Sequence, residues 1–314
     1  MTTLPPPTAS ADLTRTVFKG APFDASVPGP LGEGHYVYHD PRIEHAVNIA
    51  LVTRRPLLVT GTPGSGKSTL ADDVAWRLEW ALTRTTITSR TRLDDLVARF
   101  DSVQRLSDAA VGQVDQSKGA YIVPGVLWWA FAPEKARQLP AAEDRRQNPL
   151  ASELGTVVLL DEIDKAEPDL PNDLLAPLDR YAIDVPMFGE ISAEKGCLVI
   201  ITSNGERTMP PAFLRRCVTL ELDNSDPGFF VAVAESHLGR RTDTLYRDVA
   251  NRTVALVAEA SGAQRRVPSM AEYLDTLRAC VRFGERPGSP LWERIEEAAL
   301  RKTRSQPPTA GNSP

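Results

Sequence analysis

The 314-residue chain is 42% apolar and 25% charged, an ordinary balance for a globular protein with room for one large domain or two modest ones. Its net charge of −5 and pI near 5.5 argue against a broad nucleic-acid-binding surface. The opening MTTLPPPTAS lacks the apolar stretch of a secretory leader and no run nears the roughly 18 apolar residues of a membrane span, so a cytoplasmic protein without a membrane partner is expected.

Residues 1–34 carry Pro5, Pro6, Pro7, Pro22, Pro28 and Pro30 and read as a flexible arm or a strap lying on the core. Asp40 is a candidate N-cap with Pro41 at the first helical position, and Ile43, Val47, Ile49, Ala50 and Leu51 follow near helical spacing. PLLVTG then reads as a buried strand. After a glycine loop, the pattern predicts a helix over 69–83, the strand-like TRTTITS, and a helix over 93–100. The aromatic segment YIVPGVLWWAF and a charged loop over 143–148 follow. TVVLLDEID (156–164) and CLVIITSN (197–204) read as further buried strands, with helical NDLLAPLDRY and a hairpin in IDVPMFGEIS between them.

Beyond Asp226 the strand signals stop, and residues 229–238, 244–260, 269–283 and 291–301 space their apolar residues as helices do; Tyr273, Leu274, Leu277 and Val281 show the pattern. The fold class expected is α/β with parallel strands, over residues 35–225, followed by an all-α subdomain over 226–302 and a disordered tail over 303–314. Cys197, Cys217 and Cys280 sit among apolar residues and lack metal-ligand spacing, as core thiols do.

Gly61-Thr62-Pro63-Gly64-Ser65-Gly66-Lys67-Ser68 fits G-x-x-x-x-G-K-[ST] in full, between a strand and a helix. Glycines let successive backbone N–H groups converge on phosphate oxygens at the positive end of the following helix. Lys67 supplies a point charge for the β- and γ-phosphates, and Ser68 a hydroxyl for Mg²⁺. Such a site needs a second strand beside the first with a carboxylate at its tip. Val157–Leu160 ending in Asp161-Glu162 fits that need, Asp161 for magnesium through its water shell and Glu162 as general base toward water. The third apolar strand ends in Thr202-Ser203-Asn204, where the Asn204 amide can orient water and Asn204-Gly205 also suits a turn. Arg215 and Arg216, adjacent after a short helix, suit a guanidinium offered to a neighbouring subunit's γ-phosphate, the alternative being a surface ion pair.

Taken together, GTPGSGKS, VVLLDEID, VIITSN and PPAFLRRC resemble the MoxR branch of the AAA+ ATPases, from about His35 to Phe283. The resemblance implies a P-loop NTPase three-layer αβα core with a small helical lid. It implies ATP and Mg²⁺ as ligands, with nucleotide contacts over Gly61–Ser68 and at Thr69, and the base near Tyr38 and Asp40. It further implies Asp161 and Glu162 as the Walker B acids, Asn204 as sensor-1, and an arginine finger at Arg216 or Arg215, of which Arg216 matches better. A hairpin inserted within residues 91–133 would then lie near the axial pore of a hexameric ring, with Trp128, Trp129 and Phe131 either gripping a client or filling the core. A second hairpin is implied over 182–191. The sensor-2 position departs from the pattern: Pro268 is followed by Ser269, with Arg265 or Arg266 as upstream substitutes. Members of that branch work beside partners with a von Willebrand factor A domain, so ATP-driven remodelling of a protein is expected, and a nucleotide-gated switch is the alternative. A small-molecule kinase is disfavoured by Glu162 and the arginine pair, and a nucleic-acid motor by the acidic balance.

Overall fold

The computed structural model describes residues 23–25, 36–140, 152, 154–222, 226–261 and 267–301. They fall into two compact units, the first drawn from Met1–Leu31, Asp40–Gly61 and Lys67–Leu222, the second from Gly32–His39, Thr62–Gly66 and Asp223–Pro314.

The first unit is built on a five-stranded parallel sheet: β1 (Leu57–Gly61), β2 (Ala81–Thr86), β5 (Gly155–Asp161), β8 (Gly196–Ser203) and β9 (Val218–Leu222), in the order β2-β5-β8-β1-β9. Residues 156–160 of β5 and 197–203 of β8 are buried throughout, as strands covered on both faces must be. Each fully covered Val, Leu or Ile contributes about 1.5–3 kcal/mol. Among the flanking helices are α1 (Pro41–Thr53) and α2 (Lys67–Arg77), and Asp40 caps α1 by accepting from Arg42 N at 2.8 Å with Pro41 at the first position, as expected. Phe23 is buried, and its carbonyl accepts from the Asn48 side chain at 3.4 Å.

Three local expectations are corrected. The acidic strand is not beside the first: β8 lies between β1 and β5, pairing with both. The helix expected over 69–83 stops at Arg77, because Glu79 turns left-handed (φ 55°) and Ala81–Thr86 pairs with β5 instead. The helix expected over 93–100 is only α3 (Leu93–Val97), since β3 (Ala98–Phe100) pairs antiparallel with β4 (Ile122–Pro124).

The β3–β4 pair carries α4 (Ser102–Ala110), none of whose residues is buried; Val103 and Leu106 are 76% and 70% exposed. Trp128, Trp129 and Phe131, on α5 (Val126–Phe131), are core residues and are not available to grip a client. The segment continues through α6 (Pro133–Arg137), α7 (Leu170–Asp173) and α8 (Leu175–Arg180). The expected hairpin over 182–191 is present as β6 (Ala182–Val185) and β7 (Gly189–Ser192). A four-residue helix, α9 (Pro211–Leu214), precedes β9. Burial pushes the Cys197 and Cys217 thiols up to about 12, as befits inert core sulfurs.

The second unit packs α10 (Pro227–Leu238), α11 (Leu245–Ser261), α12 (Met270–Phe283) and α13 (Trp292–Ile295), the last running into a π-helical turn, Glu296–Arg301. Phe230 meets Tyr273 edge-on at 5.0 Å, and Tyr273 Oη donates to Tyr246 O at 3.0 Å, so the buried phenol is satisfied. Val281, expected on the apolar face of α12, is 48% exposed. Ser269 caps α12 reciprocally with Glu272. Arg265, Arg266 and the tail fall outside the described residues.

Candidate functional site

The chemistry-bearing residues of the first unit converge at the C-terminal ends of β5 and β8 and the first turn of α2. Ser68 Oγ lies 2.9 Å and 3.0 Å from the two carboxylate oxygens of Asp161. A hydroxyl and a carboxylate so placed form an oxygen donor pair of the kind a small, hard cation takes. Lys67 is nearly buried, with Nζ donating to Gly61 O at 2.8 Å. Burial draws its pKa below 10.5, against the opposing pull of Asp161, Asp164 and Glu162.

Glu162 adopts a left-handed backbone (φ 62°), a conformation costing a non-glycine residue about 1–3 kcal/mol. The turn takes Glu162 off the strand line, and its N–H donates to Thr202 Oγ1 at 2.9 Å. The same hydroxyl donates to Asp161 Oδ1, so one fully buried side chain fixes both acids. Glu162 Oε2 is 2.8 Å from Lys165 Nζ, and Oε1 is 3.5 Å from the Asn204 amide nitrogen. Asp164, 1% exposed, accepts from the backbone N–H groups of Asn204 and Glu206, both at 3.1 Å, and thereby fastens the Asn204 turn to the end of β5.

Within the second unit, Gly64 (φ 76°) and Gly66 (φ 89°) hold conformations that side-chain-bearing residues rarely adopt. A β-carbon on Gly64 would stand 2.5 Å from Ser269 Cβ, so shape as well as torsion requires glycine there. Arg216 Nε meets Asp179 Oδ2 at 2.6 Å, whereas the Arg215 side chain, exposed, makes no hydrogen bond or ion pair among the described residues.

Lys67, Ser68, Asp161, Glu162 and Asn204, which the sequence singles out, thus lie together, while Arg215 and Arg216 belong to the α9–β9 loop. The AAA domain family, dynein-related subfamily, matches residues 56–217, just over half of the chain and the whole of this cluster. The chain belongs to that family. No curated protein matches it. Solved structures similar to this AAA chain include a mutant RuvB from Thermotoga maritima at 15% identity and TM-score 0.46, covering 82% of this chain and 69% of that one. The Thermotoga maritima RuvB Holliday junction branch migration motor follows at 16% and TM-score 0.44, covering 82% and 67%.

Three residues escaped the sequence reading of this AAA site. Thr202 stands in an apolar strand, and a hydroxyl in such a run is the signal that could have found it. Asp164 and Lys165 follow the acidic pair too closely to be told from a charged helix start. Thr202→Val, similar in shape, strips the hydroxyl and leaves the Glu162 N–H without its acceptor. Denaturant unfolding should show a loss of about 1–3 kcal/mol. Unchanged stability would mean that the threonine does not hold the acids.

Proposed function

We propose that this chain binds ATP with Mg²⁺ and hydrolyses it, working as a MoxR-type ring, a homo-oligomer of six subunits, that remodels a protein partner in the cytoplasm. The observation that carries the reading is the joint placement of Ser68 Oγ 2.9 Å from Asp161 and of Glu162 beside Asn204. The donor set fits the cation, which when bound offsets charge on the β- and γ-phosphate oxygens.

In this reading the backbone amides of Gly61–Ser68 and Thr69 cradle the phosphates, and Lys67 sets its charge against them. Glu162 accepts a proton from water that the Asn204 amide orients. Arg216, from the adjoining subunit, meets the charge that develops in transfer, with Arg215 as its neighbour and the weaker candidate. The partner expected is a protein with a von Willebrand factor A domain, neither a membrane nor nucleic acid. Turnover is to be measured with and without such a partner, alongside size-exclusion chromatography in ATP. A ring stimulated by the partner supports remodelling. A monomer whose slow turnover no partner alters would sink it.

One observation favours a second reading, a nucleotide-gated switch with slow hydrolysis: the carboxylate of Glu162 is engaged by Lys165 at 2.8 Å. The hydrogen bond to Glu162 in turn raises the Lys165 pKa, so the ammonium stays charged across neutral pH. As a switch, the Lys165→Met variant should hydrolyse ATP about two- to fivefold faster than wild type, the scale of an exposed ion pair. As a remodeller without such restraint, it should keep the wild-type rate.

A further inference from the structure

The loop joining α9 to β9 is Arg215-Arg216-Cys217, and all three of its carbonyl oxygens meet a single side chain. Arg55 Nε donates to Arg216 O at 3.0 Å, while its Nη2 donates to Cys217 O at 3.2 Å and also to Arg215 O. Arg55 stands between the left-handed C-cap of α1, Arg54, and Pro56, whose carbonyl accepts from Val218 N at 2.8 Å. The residue that clasps the loop is therefore rooted where β1 begins, and β1 is the strand that leads into the glycine loop.

Carbonyls at the end of a four-residue helix have no partners within it, and a guanidinium is the side chain best able to fasten several at once. The carbonyls of Pro211, Phe213 and Leu214 accept from the N–H groups of Arg215, Arg216 and Cys217, and Ala212 O from the Arg216 side chain, so Arg55 takes the next three, from the C-cap Arg215 through the loop to Cys217. They are the backbone on which Arg216 is mounted. The Arg216 side chain leaves that backbone 44% exposed, steadied by Asp179 and by Ala212 O at 3.2 Å.

Resting on the reading of Arg216 as a finger for the adjoining subunit, the geometry points to Arg55 as the positioning residue of that finger. It fixes the 215–217 backbone, and so sets where the Arg216 guanidinium can reach. Its contribution falls in the neighbour's hydrolysis, while its own subunit's nucleotide site, built on Lys67, Ser68, Asp161 and Glu162, stands without it.

The test uses the full chain in ATP. Arg55→Ala should bind a fluorescent ATP analogue within twofold of wild type yet turn over about tenfold to hundredfold more slowly, the scale of misplacing a reacting group by about 1 Å. Arg55→Met keeps the apolar stem and strips only the donors; it should behave alike and serves if the alanine variant fails to fold. Mixing separates positioning from a purely structural role. Arg55→Ala subunits have intact acids, and Glu162→Gln subunits have an intact clasp, so turnover of the mixture should exceed the sum of the two alone. Arg216→Ala mixed with Glu162→Gln is the control. Recovery there but not with Arg55→Ala overturns the assignment of Arg55. No recovery in the control overturns the finger reading and the inference with it. Wild-type turnover by both Arg55 variants, or loss of analogue binding by Arg55→Met, also overturns it, the latter by making Arg55 a residue of its own subunit's fold.

Discussion

Glu162→Gln is expected to bind ATP about as tightly as wild type and to hydrolyse it 10²- to 10⁴-fold more slowly, the usual contribution of a positioned general base. Glutamine keeps the size and an acceptor oxygen, so the contact from the Asn204 amide and the backbone bond to Thr202 both survive. What disappears is the charge and with it the capacity to take a proton. Lys165 loses the partner that raises its pKa, so its ammonium should return toward 10.5. Measuring ATP-analogue affinity beside single-turnover hydrolysis separates the two effects. Hydrolysis within threefold of wild type would remove Glu162 from the chemistry, and a large loss of affinity would show that its charge serves binding instead.

Much of this site was legible because its strands are buried on both faces. LLVTG, VVLLD and LVIITS are near-continuous apolar runs, and polar residues at their ends stand out against them. The order of those runs in the sheet was not legible. Nothing local tells Val157–Asp161 that Leu198–Ser203 lies between it and Leu57–Gly61, since crossover connections decide adjacency. The end of α2 was misread because Leu78, Trp80, Ala81 and Leu82 suit the helical and the strand period alike, and pairing with β5 chose the strand. Residues 91–133 are legible only in part. The antiparallel pair of β3 and β4 is the hairpin implied there, and burial decides between the two readings of Trp128, Trp129 and Phe131 in favour of the core. Elements of three to nine residues are too short for a period to declare itself, so nothing in the sequence marks α4 with its exposed Val103 and Leu106.

The positioning residues lay deeper still. Thr202 meets Glu162 across 40 residues of sequence and Arg55 meets Arg216 across 161, so no motif of neighbouring residues contains either pair. Motifs expose groups that touch a ligand, because ligand chemistry fixes their type and spacing. The groups that hold them in place answer only to the tertiary structure.

Lys67→Ala should weaken ATP binding by two to four orders of magnitude. A buried ammonium offering charge-assisted hydrogen bonds to two phosphate groups contributes about 1.5–3 kcal/mol through each, and about 1.4 kcal/mol is a factor of ten. The pH dependence supplies a check that truncation alone does not. Burial lowers the Lys67 pKa in the free protein, so between that depressed value and 10.5 the unfolded chain holds the proton more often than the folded one. Folding stability therefore gains from Lys67 as pH rises through that window. Nucleotide binding moves the opposite way, since phosphate charge favours the ammonium and binding must take up a proton wherever Lys67 is already neutral. Wild-type affinity should accordingly fall toward alkaline pH while Lys67→Ala lacks this component, as calorimetry in buffers of different ionisation enthalpy can measure. Affinity of the alanine variant within threefold of wild type, or proton uptake that persists without the lysine, would place the phosphates elsewhere than beside Lys67.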